Sequence, residues 1–195
     1  MSREPRRKPI KGEKSLEGRT VVVGVSGSIA AFKAAEVVSQ LVQRGASVPV
    51  IMTDAATKFV TPLTFQTLTR VRVMTDQFDP ESVVDATHIS LADNADLVLV
   101  APATADLIAK IAHGLAGDML TSLLLAVRCP VLIAPAMNNR MWSHAAVQAN
   151  VASVRRLGHR VLDPDEGFLA CGTYAKGRLA DPARIVAEVE KLCAS

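Results

Sequence analysis

With 195 residues, 49% of them hydrophobic and 21% charged, the chain has the composition of one globular domain long enough to bury a core. Aromatic residues, at 4%, are too few for a binder that stacks many nucleic-acid bases. No apolar run approaches the roughly 18 residues of a membrane-spanning helix. The formal net charge of +3 is carried by one end. Residues 1–19 contain seven Lys/Arg and three Glu, a surplus of +4, and subtracting it from +3 leaves −1 for residues 20–195. The basic end is expected to be a solvated, disordered tail over residues 1–19, ahead of a single domain over 20–195. Neither a nucleic-acid nor a membrane partner is expected. There is no apolar signal core at the N-terminus, and Cys129, Cys171 and Cys193 lack metal-type spacing. Free thiols in a reducing cytoplasm are therefore expected.

Order is expected to begin at Thr20. Val21-Val22-Val23 reads as a strand, followed by the turn Gly24-Val25-Ser26-Gly27-Ser28. Ile29 to Arg44 reads as a helix, with Ile29, Phe32, Val37, Val38, Leu41 and Val42 on a repeat of about 3.6 residues, ended by Gly45. Ser47 to Thr53 alternates as a second strand. Short helices are expected at 55–60 and 62–69, a short strand at Arg72-Val73, a loop over 76–85 and a helical turn at 89–94.

Leu97–Val100 and Val131–Ile133 read as buried strands, each stopping at a proline turn, at Pro102 and Pro135. Helices are expected at 105–112, 118–127 and 143–157, with a last strand at 160–162. A loop then runs from Asp163 to Leu179. Asp181-Pro182 caps a final helix that ends near Cys193. Strands alternating with helices give an α/β fold, a doubly wound Rossmann-like or flavodoxin-like parallel sheet with helices on both faces. In such sheets ligands sit beyond the carboxyl ends of the strands.

Gly24-x-x-Gly27-Ser28, between a strand and a helix, can bring backbone amides and the Ser26 and Ser28 hydroxyls to a phosphate. It is neither the G-x-G-x-x-G dinucleotide turn nor a nucleoside triphosphate loop, so a mononucleotide phosphate fits better. A merely tight βα turn fits the residues equally well. His88 precedes the Leu97 strand and is either an acid–base group or a structural histidine. Cys171, beside Gly172 in the long loop, is either an ordinary loop cysteine or an acid or nucleophile. No two histidines have metal-ligand spacing, so no metal is expected.

Four segments occur together and in order: Gly24-Val-Ser-Gly-Ser28, Pro102-Ala-Thr-Ala-Asp106, Pro135-Ala-Met-Asn-Asn-Arg-Met-Trp142 and Ala170-Cys-Gly-Thr-Tyr-Ala-Lys-Gly-Arg-Leu179. Across residues 20–190 the chain resembles the homo-oligomeric flavin-containing cysteine decarboxylases. Within them it looks most like the enzymes that decarboxylate phosphopantothenoylcysteine in coenzyme A biosynthesis. The resemblance implies FMN as cofactor, bordered by Ser26, Gly27, Ser28, Thr53, Thr64, Phe65, Ala103, Thr104 and Met119. It implies sites shared between subunits of a trimer, sometimes assembled into a dodecamer.

It also implies a cycle of thiol oxidation, CO2 loss and re-reduction, with His88 assisting near flavin and substrate, Asn138 on the substrate carboxylate and Cys171 as proton donor. Met141, Ala170, Lys176 and Arg178 would border the substrate, and the 163–179 loop would close as a lid. Departures from the family lid are Thr173 for Asp, Ala175 for Gly and Leu179 for Met; Asp106 replaces the Asn of the flavin-site turn. Many bacterial members are fused to a phosphopantothenate–cysteine ligase domain, and this chain ends before one, so a monofunctional or truncated chain is expected. The competing readings are a peptidyl-cysteine decarboxylase, a non-catalytic regulatory flavoprotein and a flavin prenyltransferase.

Overall fold

The structure is a computed structural model that describes residues 14–78 and 87–194. Most of the basic stretch, and the expected loop beyond Phe78, lie outside the described residues.

Five strands form one parallel sheet: β1 (Val21–Val25), β2 (Val50–Met52), β3 (Leu97–Ala103), β4 (Val131–Pro135) and β5 (Arg160–Val161), in the order β2-β1-β3-β4-β5. This is the flavodoxin-like doubly wound arrangement. Strands β1 to β4 are buried along their whole length, which is why they read as unbroken apolar runs. Their residues alternate between two core layers. Val21, Val23, Leu97, Leu99 and Leu132 face helices α1 (Ala31–Gln43), α3 (Pro62–Thr69) and α9 (Pro182–Cys193). Val22, Val98, Val100, Val131 and Ile133 face the other layer, with α4 (Thr87–Asn94), α5 (Ala105–Ala112), α6 (Met119–Ala126) and α8 (Ala145–Arg156).

Capping explains several element ends. Gly45, at φ 91, closes α1: its N–H donates to the Val42 carbonyl and that of Ala46 to Leu41, a Schellman pair. Asp118 and Thr121 exchange bonds in a capping box at the start of α6. The Asp181 carboxylate accepts from the Ala183 N–H at the start of α9.

Four expectations need correction. Order does not wait for Thr20: Leu16 is 0% exposed in the first core layer, and its N–H donates to the Arg44 carbonyl. The second strand is only Val50–Met52, because Pro49 has no N–H with which to continue the ladder. The prolines do not stop their strands. β3 runs through Pro102, whose peptide bond with Ala101 is cis, to Ala103, and β4 includes Pro135.

Finally, the region from Asp163 to Leu179 is not structureless. It holds an antiparallel hairpin, β6 (Asp165–Phe168) and β7 (Tyr174–Arg178). Smaller differences are a lone bridge between Ile51 and Met74 in place of the Arg72-Val73 strand, a four-residue helix α2 (Asp54–Thr57) in place of the one expected over 55–60, and a separate short helix α7 (Asn139–Trp142) ahead of α8.

Candidate active site

The carboxyl ends of β1 to β4 carry the site. After β1, the chain reverses between its two neighbours β2 and β3, the point where this fold opens a crevice. Ser26 closes the bottom of that crevice. Its hydroxyl donates to the Pro102 carbonyl at 2.7 Å and accepts the Thr104 N–H at 3.0 Å. Its one O–H is spent and the residue is 2% exposed, so Ser26 joins the two turns rather than donating a hydroxyl to a ligand. Gly27 is required for a similar reason: a Cβ there would collide with the Ala55 side chain and backbone.

The turn above them remains open. The Ser28 hydroxyl accepts the Ala30 N–H at 3.2 Å. Among the described residues the Gly27 and Ile29 amides have no protein acceptor. These amides stand just ahead of α1, where the helix dipole favours an anion.

Thr53 caps α2, accepting the Ala56 N–H at 3.3 Å, and Thr104 caps α5, accepting the Leu107 N–H at 3.3 Å. Both stand half-buried at the same sheet edge. Thr64 is half-buried on α3. Phe65, Ala103 and Met119 are buried core residues with 3% exposure or less, and so present almost no surface to a ligand.

A groove of about 580 Å³ lies beside this turn. Its walls are the start of α1, the turn after β4 and the β6–β7 hairpin, including Ser28, Lys33, Asn138, Cys171 and Arg178. Ile29 and Phe32, expected in the helical core stripe, are 58% and 60% exposed, and both line this groove. The apolar stripe of α1 thus turns from core to groove at its first turn.

Asn138 is held at both ends. Its Oδ1 accepts the Arg140 N–H at 2.8 Å, capping α7, and its Nδ2 donates to Cys171 Sγ at 3.3 Å. The thiol also meets Thr173 Oγ1 at 3.1 Å. The Thr173 hydroxyl, then its backbone N–H and more weakly the Asn138 amide, draw the exposed Cys171 thiol below its ordinary pKa. Burial pushes the Cys129 and Cys193 thiols the other way, as expected of packing cysteines.

Gly177 seats the hairpin on the Asn138 turn. Its carbonyl accepts the Met137 N–H at 3.0 Å, its φ is 146°, and a Cβ there would collide with the Met137 carbonyl. At the other strand, Asp165 accepts the Asp181 N–H and pairs with Arg184.

The structure therefore brings Asn138, Ala170, Cys171 and Arg178 to one groove. It leaves Met141 exposed on α7 and outside the groove lining. Lys176 is engaged elsewhere, paired with Asp163 at 3.1 Å and 6.0 Å from the centre of the Trp142 ring. His88 is also not among the lining residues. It lies on α4, which packs with α6 in the layer across the sheet from α1. Sequence reasoning missed Lys33, Thr173 as a partner of the thiol, and Gly177. The only advance signal was a lysine in the first turn of a helix, where the dipole disfavours a cation. Among the described residues no group of His, Cys, Asp and Glu is arranged to hold a metal, and no helix is long and apolar enough to cross a membrane.

The model of the family described as Flavoprotein matches residues 9–194. The chain is 51% identical over 176 residues to the coenzyme A biosynthesis bifunctional protein CoaBC of Bacillus subtilis, covering 90% of this chain and 43% of that one. Against the CoaBC of Vibrio cholerae it is 47% identical, over 92% of this chain and 45% of the relative. It therefore spans less than half the length of these curated relatives. The fold matches the crystal structure of the FMN-dependent cysteine decarboxylase SpaF at a TM-score of 0.81, 34% identity, and 92% and 99% coverage of the two chains. It matches a PPC decarboxylase variant complexed with pantothenoylaminoethenethiol at a TM-score of 0.82 and 28% identity, covering 91% of this chain and 99% of that one. The chain belongs to the Flavoprotein family, among its flavin-containing cysteine decarboxylases.

Proposed function

We propose that this chain decarboxylates (R)-4'-phospho-N-pantothenoylcysteine to 4'-phosphopantetheine in coenzyme A biosynthesis, with FMN as cofactor. The observation that carries the reading is the contact between Asn138 Nδ2 and Cys171 Sγ, 3.3 Å apart and facing one groove. The relatives' names point to the same pathway and chemistry.

The residues fit the cofactor. The open Gly27 and Ile29 amides and Ser28, at the N-terminal end of α1, suit a phosphate monoester, with Thr53 and Thr104 at the neighbouring strand ends. The chemistry FMN supplies when bound is reversible hydride acceptance, needed because loss of CO2 beside an unoxidised cysteine leaves a carbanion without an electron sink.

The chain's residues do the rest. The Asn138 amide, with Oδ1 already fixed by the Arg140 N–H, has Nδ2 free to orient the substrate carboxylate once the thiol contact is displaced. The Cys171 thiol, acidified by Thr173, gives its proton to the substrate carbon in the final reduction. The hairpin covers the groove and excludes water. His88, carried on the far layer, acts in a site completed by a second copy of the chain within a homotrimer or larger assembly.

Mass spectrometry of the product distinguishes the readings. Phosphopantothenoylcysteine is expected to lose CO2 alone and yield the saturated thiol. Product formed only from a cysteine-terminated peptide, lacking CO2 and two further hydrogens, would establish a peptidyl-cysteine decarboxylase in its place.

A further inference from the structure

The groove contains two cations that the proposed chemistry does not use. Lys33, half-buried on the first turn of α1, and Arg178, at the end of β7, both line it. Among the described residues, neither has a carboxylate within salt-bridge distance. Other cations of the same region differ: Lys176 pairs with Asp163 and Arg184 with Asp165.

The acids that face Lys33 are Asp181, Glu36 and Asp165, and each has another partner. Asp181 caps α9, Asp165 holds Arg184 and the Asp181 N–H, and Glu36 accepts from Gln40. Burial first, and then Arg178, lower the Lys33 pKa against the opposing pull of those three acids, so the two positive charges bear on each other. Lys33 also stands at the positive end of a helix dipole. Phe32, Leu169 and Leu179 supply low-dielectric walls that concentrate this potential.

Two cations and a helix end within apolar walls suit a dianion that makes charge-assisted hydrogen bonds, such as a phosphate monoester. We propose that Lys33 and Arg178 together bind the phosphate of the substrate and so select for phosphorylated substrates.

Cys171, Lys33 and Arg178 line the same groove, so a substrate with its cysteine end at Asn138 and Cys171 has its far end in the groove that the two cations also line. Lys176, expected with Arg178 at the substrate, is committed to Asp163.

The inference rests on the decarboxylase reading, and the test separates the two. Flavin-loaded protein is titrated calorimetrically with 4'-phosphopantothenate and with pantothenate, neither of which can be decarboxylated by this route. Wild type is expected to prefer the phosphorylated ligand. In Lys33→Met and Arg178→Met the affinity for 4'-phosphopantothenate is expected to fall about ten- to hundredfold, the value of one charge-assisted bond, with pantothenate unaffected. Lys33→Arg is expected to recover most of the loss.

An equal loss for both ligands, or no loss for either, overturns the proposal. Release of FMN from the variants without a change in this ratio would instead assign the cations to the cofactor phosphate, and overturns it too. Retained preference in a protein that decarboxylates neither substrate would uphold the phosphate site and remove the decarboxylase reading.

Discussion

Thr173 stands where the resemblance implied an aspartate, and its hydroxyl changes the acidity of the neighbouring cysteine. The Thr173 hydroxyl lies 3.1 Å from Cys171 Sγ and is the first cause of that thiol's lowered pKa. A carboxylate in its place would put a negative charge beside a forming thiolate and raise the pKa. Cys171 is exposed, so its ionisation can be followed directly. In the wild type, iodoacetamide should react with Cys171 with a midpoint below the ordinary thiol range. In Thr173→Val the midpoint is expected to move up, and an unmoved midpoint would remove Thr173 as the cause. At this scale the sequence was partly legible. Cys171 and Asn138 carry recognisable chemistry in short motifs. The roles of Ser26 and Lys33 depend on partners 76 to 145 positions away, such as Pro102, Thr104 and Arg178, which no local pattern announces.

Among the elements, the hairpin was the largest that sequence reasoning lost. Its strands read Asp-Glu-Gly-Phe and Tyr-Ala-Lys-Gly-Arg, mostly polar and exposed, with no alternation to mark a buried face. Tertiary contacts hold it instead: the Asp165 pairing with α9 at one root and Gly177 on the Met137 turn at the other. The sheet strands were legible because burial on both faces leaves a continuous apolar signature. Helix α1 was legible in extent but not in its exposed first turn, since periodicity cannot tell a core from a groove. Gly177→Ala tests the dock. A side chain at φ 146° beside the Met137 carbonyl should cost about 1–3 kcal/mol locally. The hairpin is then expected to become sensitive to protease and turnover to fall, with FMN still bound. Unchanged proteolysis would mean the hairpin has a stronger anchor elsewhere.

For the whole molecule, two core layers meet at one sheet, and the N-terminal segment belongs to the first. Leu16→Ala should lower unfolding free energy by about 2–5 kcal/mol in urea melts, as for a buried leucine. A value near zero would return residues 14–18 to the tail. The sheet also separates His88, on the α4 layer, from the groove lined by α1 and the hairpin. If sites are shared between copies, mixed oligomers of His88→Asn and Cys171→Ser subunits should regain part of the turnover that each variant lacks alone. Mixed assemblies that stay inactive would place both residues in one subunit's site.

The seat of Gly177 on the Asn138 turn has a further consequence, for exchanging specificity between relatives. Backbone meets backbone there, so the base of the hairpin and the turn after β4 form one interlocked part. A chimaera that imports a foreign 165–178 segment inherits a lid cut to fit another turn. Residues 137–139 have to travel with it, and the unit of transplantation is two segments far apart in the chain.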